Sequence, residues 1–227
     1  MEGVVREVVD GDTLVLESGD VVRLVGIQSP KLPLGRPGFP TQPLADAAKA
    51  ALSDLVLQKK VALHFSGRRG DRHGRHLAHL FDAIGQWIQG EMLERGLARV
   101  NSYADNRARV ERQARAQNRG IWTDPFYRVL TPEAADAHLN RFELVEGRVY
   151  KAAIVKGNGY LNFGEDWRTD FTIFVSRQAR RLFEREGIDI TAYTGKRVRV
   201  RGWVSRYNGP MIEATHPEQI EVLSESE

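Results

Sequence analysis

Apolar runs bounded by turn residues open the chain. Val4–Val9, Thr13–Leu16 and Val21–Ile27 each read as a strand, with Asp10-Gly11-Asp12 and Ser18-Gly19-Asp20 as the turns between them. Four prolines and two glycines between Leu32 and Pro43 predict a loop. Leu44, Ala48, Ala51, Leu52 and Leu55 then recur at helix spacing, which predicts a helix over 44–57. Val61–Phe65 and Leu77–Phe81 read as strands around a basic loop, 67–75. Two helices follow: Trp87–Arg95, closed by Gly96, and Asn106–Asn118, closed by Gly120. Five strands with a helix after the third suit a small barrel of the OB type.

Thr123–Pro132 holds two prolines after a helical stretch and is the expected linker. A short helix over 132–139, capped by Thr131, is expected to open a second unit. There, Phe142–Lys151, Tyr160–Phe163, Phe171–Val175, Arg197–Val204 and Met211–Ala214 read as strands, with a helix over 176–186. The expectation is a mainly β protein with packing helices: a five-stranded OB barrel over 1–124 and a second OB-like barrel over 131–227.

Composition adds limits. The 227 residues include no cysteine, which excludes disulfides and thiolate-bound zinc. No stretch is apolar and long enough to span a bilayer, so no membrane association is expected. The first ten residues hold no apolar signal core; the chain as written is expected to be cytoplasmic, or exported if its start has been trimmed. Residues 1–130 carry 19 basic and 15 acidic groups, a net of +4, while 131–227 carry 14 and 15, a net of −1. The first half therefore accommodates an anionic partner more readily.

Several side chains could carry chemistry. Asp10 and Asp12 flank Gly11, and two carboxylates that close can hold a hard cation; the same residues also make an ordinary hairpin turn. Arg23, inside a strand, points either to water or into a cleft where it grips a phosphate. The run Arg68-Arg69-Gly70-Asp71-Arg72-His73-Gly74-Arg75 can surround a phosphate or form a solvated tip. Arg107, Arg109, Arg112, Arg115 and Arg119 fall on the third helix, where Arg112, Arg115 and Arg119 share one face, a nucleic-acid track or an ordinary surface face. In the second unit Tyr160, Phe163, Trp167, Trp203 and Tyr207 interleave with Arg148, Lys151, Lys156, Arg168, Arg201 and Arg206, as in folds that stack bases above a basic groove; Phe163 and Trp203 are expected in the core.

Taken in order, Asp10-Gly11-Asp12-Thr13, Arg23-Leu24-Val25-Gly26-Ile27 with Pro30, Asp71-Arg72-His73-Gly74-Arg75, Gly96-Leu97-Ala98-Arg99-Val100 and Gly120-Ile121-Trp122 resemble the staphylococcal nuclease (thermonuclease) family over residues 3–122. The resemblance implies an OB barrel with a Ca²⁺-dependent phosphodiesterase site. It puts Asp12 at a calcium-bound carboxylate, Asp10 at a supporting acid, and Arg23 and Arg75 at the two phosphate-binding arginines. The family pattern Asp-Thr/Ala-Pro-Glu is replaced by Gln28-Ser29-Pro30-Lys31. Gln28 stands at a second metal ligand and Lys31 at the general base, while the Ser29 carbonyl could still face a metal.

These replacements weaken calcium, whose affinity follows ligand charge. A lysine ammonium, with a reference pKa of about 10.4, accepts no proton at neutral pH. General-base catalysis is worth roughly 10²–10⁴ in rate. The expected function is therefore binding of DNA or RNA, single-stranded, with weak or absent hydrolysis. Lys31 and Arg72 are expected to join Arg23 and Arg75 in a metal-free phosphate site. A second reading is an active nuclease in which His73 supplies the base and Asp12 holds another metal. A third is a protein-interaction scaffold.

Overall fold

The computed structural model describes residues 1–101 and 105–224, and for residues 105–107 the backbone alone. It divides into two units, Met1–Tyr127 and Arg128–Glu227. The first contains β1 (Glu2–Asp10), β2 (Thr13–Leu16), β3 (Val21–Leu24), β4 (Ile27–Gln28), α1 (Ala45–Val56), β5 (Lys60–His64), β6 (His76–Phe81), α2 (Ile88–Glu94), β7 (Arg99–Val100) and α3 (Asp105–Ala116). A closed barrel runs in the order β1-β2-β3-β6-β5, with β3 and β6 parallel. The barrel is the mainly β, five-stranded fold that the sequence pattern predicts.

Strand alternation explains its core. Val22 and Leu24 on β3, and Ala78 and Leu80 on β6, point inward and are buried, as are Leu52 and Val56 on α1. The expected single strand Val21–Ile27 is broken at Val25-Gly26, and β4 beyond the break pairs with β7 instead. That break lifts Gln28 and Ser29 off the barrel wall and toward the β1–β2 turn.

Two of the family-like motifs turn out to be one contact. Gly96, after α2, and Gly120, after α3, both have positive φ, 66° and 54°. A Cβ on Gly96 would lie 2.1 Å from the Arg119 carbonyl oxygen, and one on Gly120 would lie 2.3 Å from that of Gly96. Only glycine fits at either position. Ile121 N–H donates to the Gly96 carbonyl at 2.8 Å and locks the two ends together.

The second unit contains β8 (Phe142–Arg148), β9 (Lys151–Val155), β10 (Asn158–Asn162), β11 (Thr172–Val175), α4 (Arg177–Arg185), β12 (Arg197–Arg206), β13 (Pro210–Glu213) and β14 (Ile220–Val222). Its sheet has seven strands, not the five expected. The predicted strand 142–151 is split into β8 and β9, and β14 is an added edge on β12. The pairing otherwise follows the first unit. β9-β10-β11 is antiparallel, β11 and β13 are parallel, β13 and β12 are antiparallel, and β12 returns to β8. Ser176 caps α4 by accepting the Ala179 N–H at 3.2 Å. The opening helix is a 3₁₀ helix, Pro132–His138, and Thr131 makes no side-chain cap to it. No helix among the described residues is long and apolar enough to cross a membrane.

Candidate functional site

The β1–β2 turn is buried, which is unusual for a turn with two carboxylates. A register shift in β1 between Val8 and Asp10 sets Asp10 opposite Thr13. Gly11 lies so close to α1 and to the chain after β4 that a Cβ there would meet the Ala48 and Ser29 Cβ atoms at 2.7 and 2.8 Å. Asp10 and Asp12 are thereby drawn inside, and Asp12 is 0 % exposed.

Every oxygen of these carboxylates is engaged. The Lys31 ammonium donates to Asp12 Oδ1 at 2.6 Å and to Asp10 Oδ2 at 3.1 Å. Arg23 Nη1 lies 3.1 Å from Asp12 Oδ1, and Thr13 Oγ1 donates to the same oxygen at 3.2 Å. Ser29 N–H donates to Asp12 Oδ2 at 2.8 Å, and Asp12 N–H donates to Asp10 Oδ1 at 3.0 Å. Burial pushes the Asp12 carboxyl up, but Arg23, Lys31 and the Ser29 N–H overcome it and hold the group well below the usual carboxylate range. Burial and the Asp12 charge raise Asp10, with Lys31 opposing them in part. Two carboxylates face two cations, so the buried cluster is balanced within itself.

Arg23 is consumed in the same way. Its Nη1 donates to the Leu24 carbonyl at 2.8 Å and the Asp12 carbonyl at 3.3 Å. Its Nη2 donates to the Ile27 carbonyl at 2.8 Å and to Gln28 Oε1 at 3.2 Å. The side chain is 11 % exposed. This arginine ties β3 to β4, and Gln28 completes the tie.

Gln42 is the residue that sequence reasoning missed. Its Oε1 accepts the Lys31 N–H at 2.8 Å, and its own N–H donates to the Lys31 carbonyl at 3.0 Å. The proline-rich loop that carries Gln42 therefore fixes the backbone of the lysine. No local pattern marks it, because the contact is made across a loop.

A second group forms on the hairpin between β5 and β6. Asp71 accepts the backbone N–H of His73 at 2.8 Å and of Arg75 at 3.0 Å, and Arg75 Nε at 2.7 Å. Burial raises the Asp71 carboxyl, but these donors prevail and bring it to about 2. Arg72 and His73 are exposed, with Arg72 Nε donating to His73 Nε2 at 3.1 Å. Arg68 and Arg69 are exposed beside them. Among the described residues, the two terminal nitrogens of Arg75 have no protein partner.

No hydrogen bond or ion pair joins the two groups among the described residues. Their strands are nevertheless neighbours. Arg23 pairs with Leu77 of β6, and Arg75 lies just before that strand. The α3 stripe does not hold together as a free basic face. Arg115 pairs with Glu111 at 3.5 Å and lies over Trp122, and Arg119 pairs with Glu94 at 3.6 Å. The Arg107 side chain lies outside the described residues.

Residues 21–124 match the family model described as staphylococcal nuclease homologue. Over that span the chain is similar to the staphylococcal nuclease homologues. No curated protein matches it. The matched span of the nuclease-homologue domain includes Arg23, Gln28, Lys31 and the Asp71–Arg75 hairpin; Asp10 and Asp12 precede it but belong to the same barrel. Calcium takes six to eight oxygen ligands. In this domain the two nearest carboxylates share an ammonium group, and among the described residues no three acidic or imidazole groups gather as a metal site. The donor set does not fit Ca²⁺.

Proposed function

We propose that the nuclease-homologue domain binds the phosphodiester backbone of nucleic acid and hydrolyses it weakly or not at all. One observation carries this reading: the Lys31 ammonium sits on Asp12 and Asp10 at 2.6 and 3.1 Å, between the groups that would hold a cation. A tethered ammonium neutralises the carboxylates but offers no open coordination position to a phosphate oxygen or to water. Its N–H groups donate and accept nothing, so the residue at the base position takes no proton from water.

Phosphate contact then falls to the hairpin. Arg75 keeps its terminal nitrogens available, and Arg72, Arg68 and Arg69 are exposed on the same loop. The closed cluster at Arg23 and Lys31 serves stability, not ligand contact. The test is a pair of measurements on the whole chain. Binding of a labelled single-stranded oligonucleotide should weaken steeply with salt and should fall in Arg72→Ala and Arg75→Ala. Cleavage should stay at background with Ca²⁺, Mg²⁺ and Mn²⁺. Strong turnover with any of these ions refutes the catalytic half; salt-independent binding that is indifferent to both arginines refutes the other.

A further inference from the structure

In the second unit the core is built from alternate residues of the sheet. Leu161 on β10, Ile173 on β11, Ile212 on β13 and Val204 on β12 are buried. The residues between them therefore face outward. Register aligns these outward positions in rows. Tyr160 pairs with Phe174, and Phe174 pairs with Glu213. The β12–β13 register, Val204 to Ile212, brings Trp203 opposite Glu213 at the far side. A second row runs Lys151, Asn162, Thr172, Met211, Ser205.

The first row holds three rings on one surface. Tyr160 and Phe174 are half-buried and touch at 5.4 Å between centroids, tilted by 52°. Trp203 is 57 % exposed, and Phe142 braces it edge-on at 6.3 Å. Two strand spacings separate Phe174 from Trp203, about 10 Å. Trp203 was expected in the core; its odd position on β12 turns it to solvent, while Arg201, two residues earlier, is covered and only 3 % exposed.

We propose that this outer face binds single-stranded nucleic acid, with Tyr160, Phe174 and Trp203 as stacking platforms for bases. The proposal rests on the reading that the chain binds phosphodiester polymers, and extends it to the second unit. The chemistry of the second row favours this occupant over an apolar protein segment. Amide, hydroxyl and ammonium groups border the rings. Thr172 Oγ1 donates to Asn162 Oδ1 at 3.2 Å, which leaves the Asn162 amide N–H groups for a base edge. Lys151 is exposed and has no ion-pair partner among the described residues. Glu213 stands between the two platforms, so phosphates run beside the rings, on the Lys151 side, and not over them. Stacking of this kind tolerates sequence but requires an unpaired strand.

The test titrates the full chain with a labelled oligothymidylate at low salt. Tyr160→Ala and Trp203→Ala should each weaken binding on the order of tenfold, while Tyr160→Phe and Trp203→Phe keep most of it. Binding should also quench a component of the tryptophan emission that disappears in Trp203→Phe. A duplex of equal length should compete poorly. Alanine variants that bind like the wild type, or a duplex that competes equally, overturn the proposal. Trp203 is exposed, so its variants keep the test decisive even if Tyr160→Ala fails to fold. Loss of binding in Arg72→Ala and Arg75→Ala with no loss in the ring variants removes this face and leaves the proposed function standing. A wild-type chain that binds no oligonucleotide at low salt defeats that underlying reading first.

Discussion

Corresponding positions in the two units carry opposite chemistry. The turn between the first two strands of the barrel in unit one is Asp10-Gly11-Asp12; between β9 and β10 the chain runs through Lys156-Gly157. The third position of β3 is Arg23, that of β11, which takes the same place in the pairing order, is Phe174, and both point outward. One surface is a buried ionic cluster that satisfies itself, and the other is an open row of rings. The inward alternation, Val22 and Leu24 against Ile173 and Val175, is alike in both. The same strand order is compatible with either surface, because burial acts on one face of each strand and leaves the other to function.

The comparison breaks most sharply at Lys31. Lys31→Met leaves two buried carboxylates facing Arg23 alone, and should cost about 3–5 kcal/mol at neutral pH in denaturant unfolding. The pH dependence has a definite sign. Asp12, held below its ordinary value, gives stability that is present above the unfolded carboxylate pKa and lost as the pH falls below it. Asp10, raised, works the other way and favours the folded state while protonated. Lys31 pulls both down, so its removal raises both, and the gap between variant and wild type should narrow as the medium is acidified through the carboxylate range. An equal gap at acid and neutral pH would mean that the ammonium is not what neutralises the pair.

Next in size is restoration of a metal. Gln28→Asp/Lys31→Glu replaces the tethered cation with two acidic ligands. Its melting temperature should rise with added Ca²⁺, by the equivalent of about 2.7 kcal/mol at a hundredfold excess over Kd, while the wild type stays flat. A wild type that responds as strongly would show that Lys31 yields to calcium.

Asp71→Asn should cost about 1–2 kcal/mol, since the hairpin loses a charge-assisted anchor to two backbone N–H groups and Arg75. The Asp71 carboxyl lies at about 2, below its ordinary 3.8. Its contribution is full above the unfolded value and vanishes as the pH falls through about 2, so variant and wild type should converge there. The smallest effect belongs to the ring face. Trp203→Ala should change stability by no more than about 0.5 kcal/mol, whereas a buried tryptophan would cost about 3–5. A loss of the larger size would place Trp203 in the core and remove the contrast between the two units.

Period and turn chemistry determined much by themselves. They predict the strands and helices of the first barrel and the glycines that close two of its helices, because alternation and helix-ending glycines are local properties of the chain. Gln28 and Lys31 stood out in the sequence only against the family pattern that the chain resembles. The direction in which Lys31 points was not legible there. Its ammonium was expected to join the arginines around a phosphate; tertiary packing of the β1–β2 turn against Ala48 and Ser29 buries Asp10 and Asp12, and two buried carboxylates draw the nearest cation inward. The Gln42 clamp, the saturation of Arg23 and the alignment of Tyr160, Phe174 and Trp203 likewise depend on which strands meet and in what register. Residues far apart in sequence meet there, and sequence period says which side of a strand a residue faces but not what lies across from it.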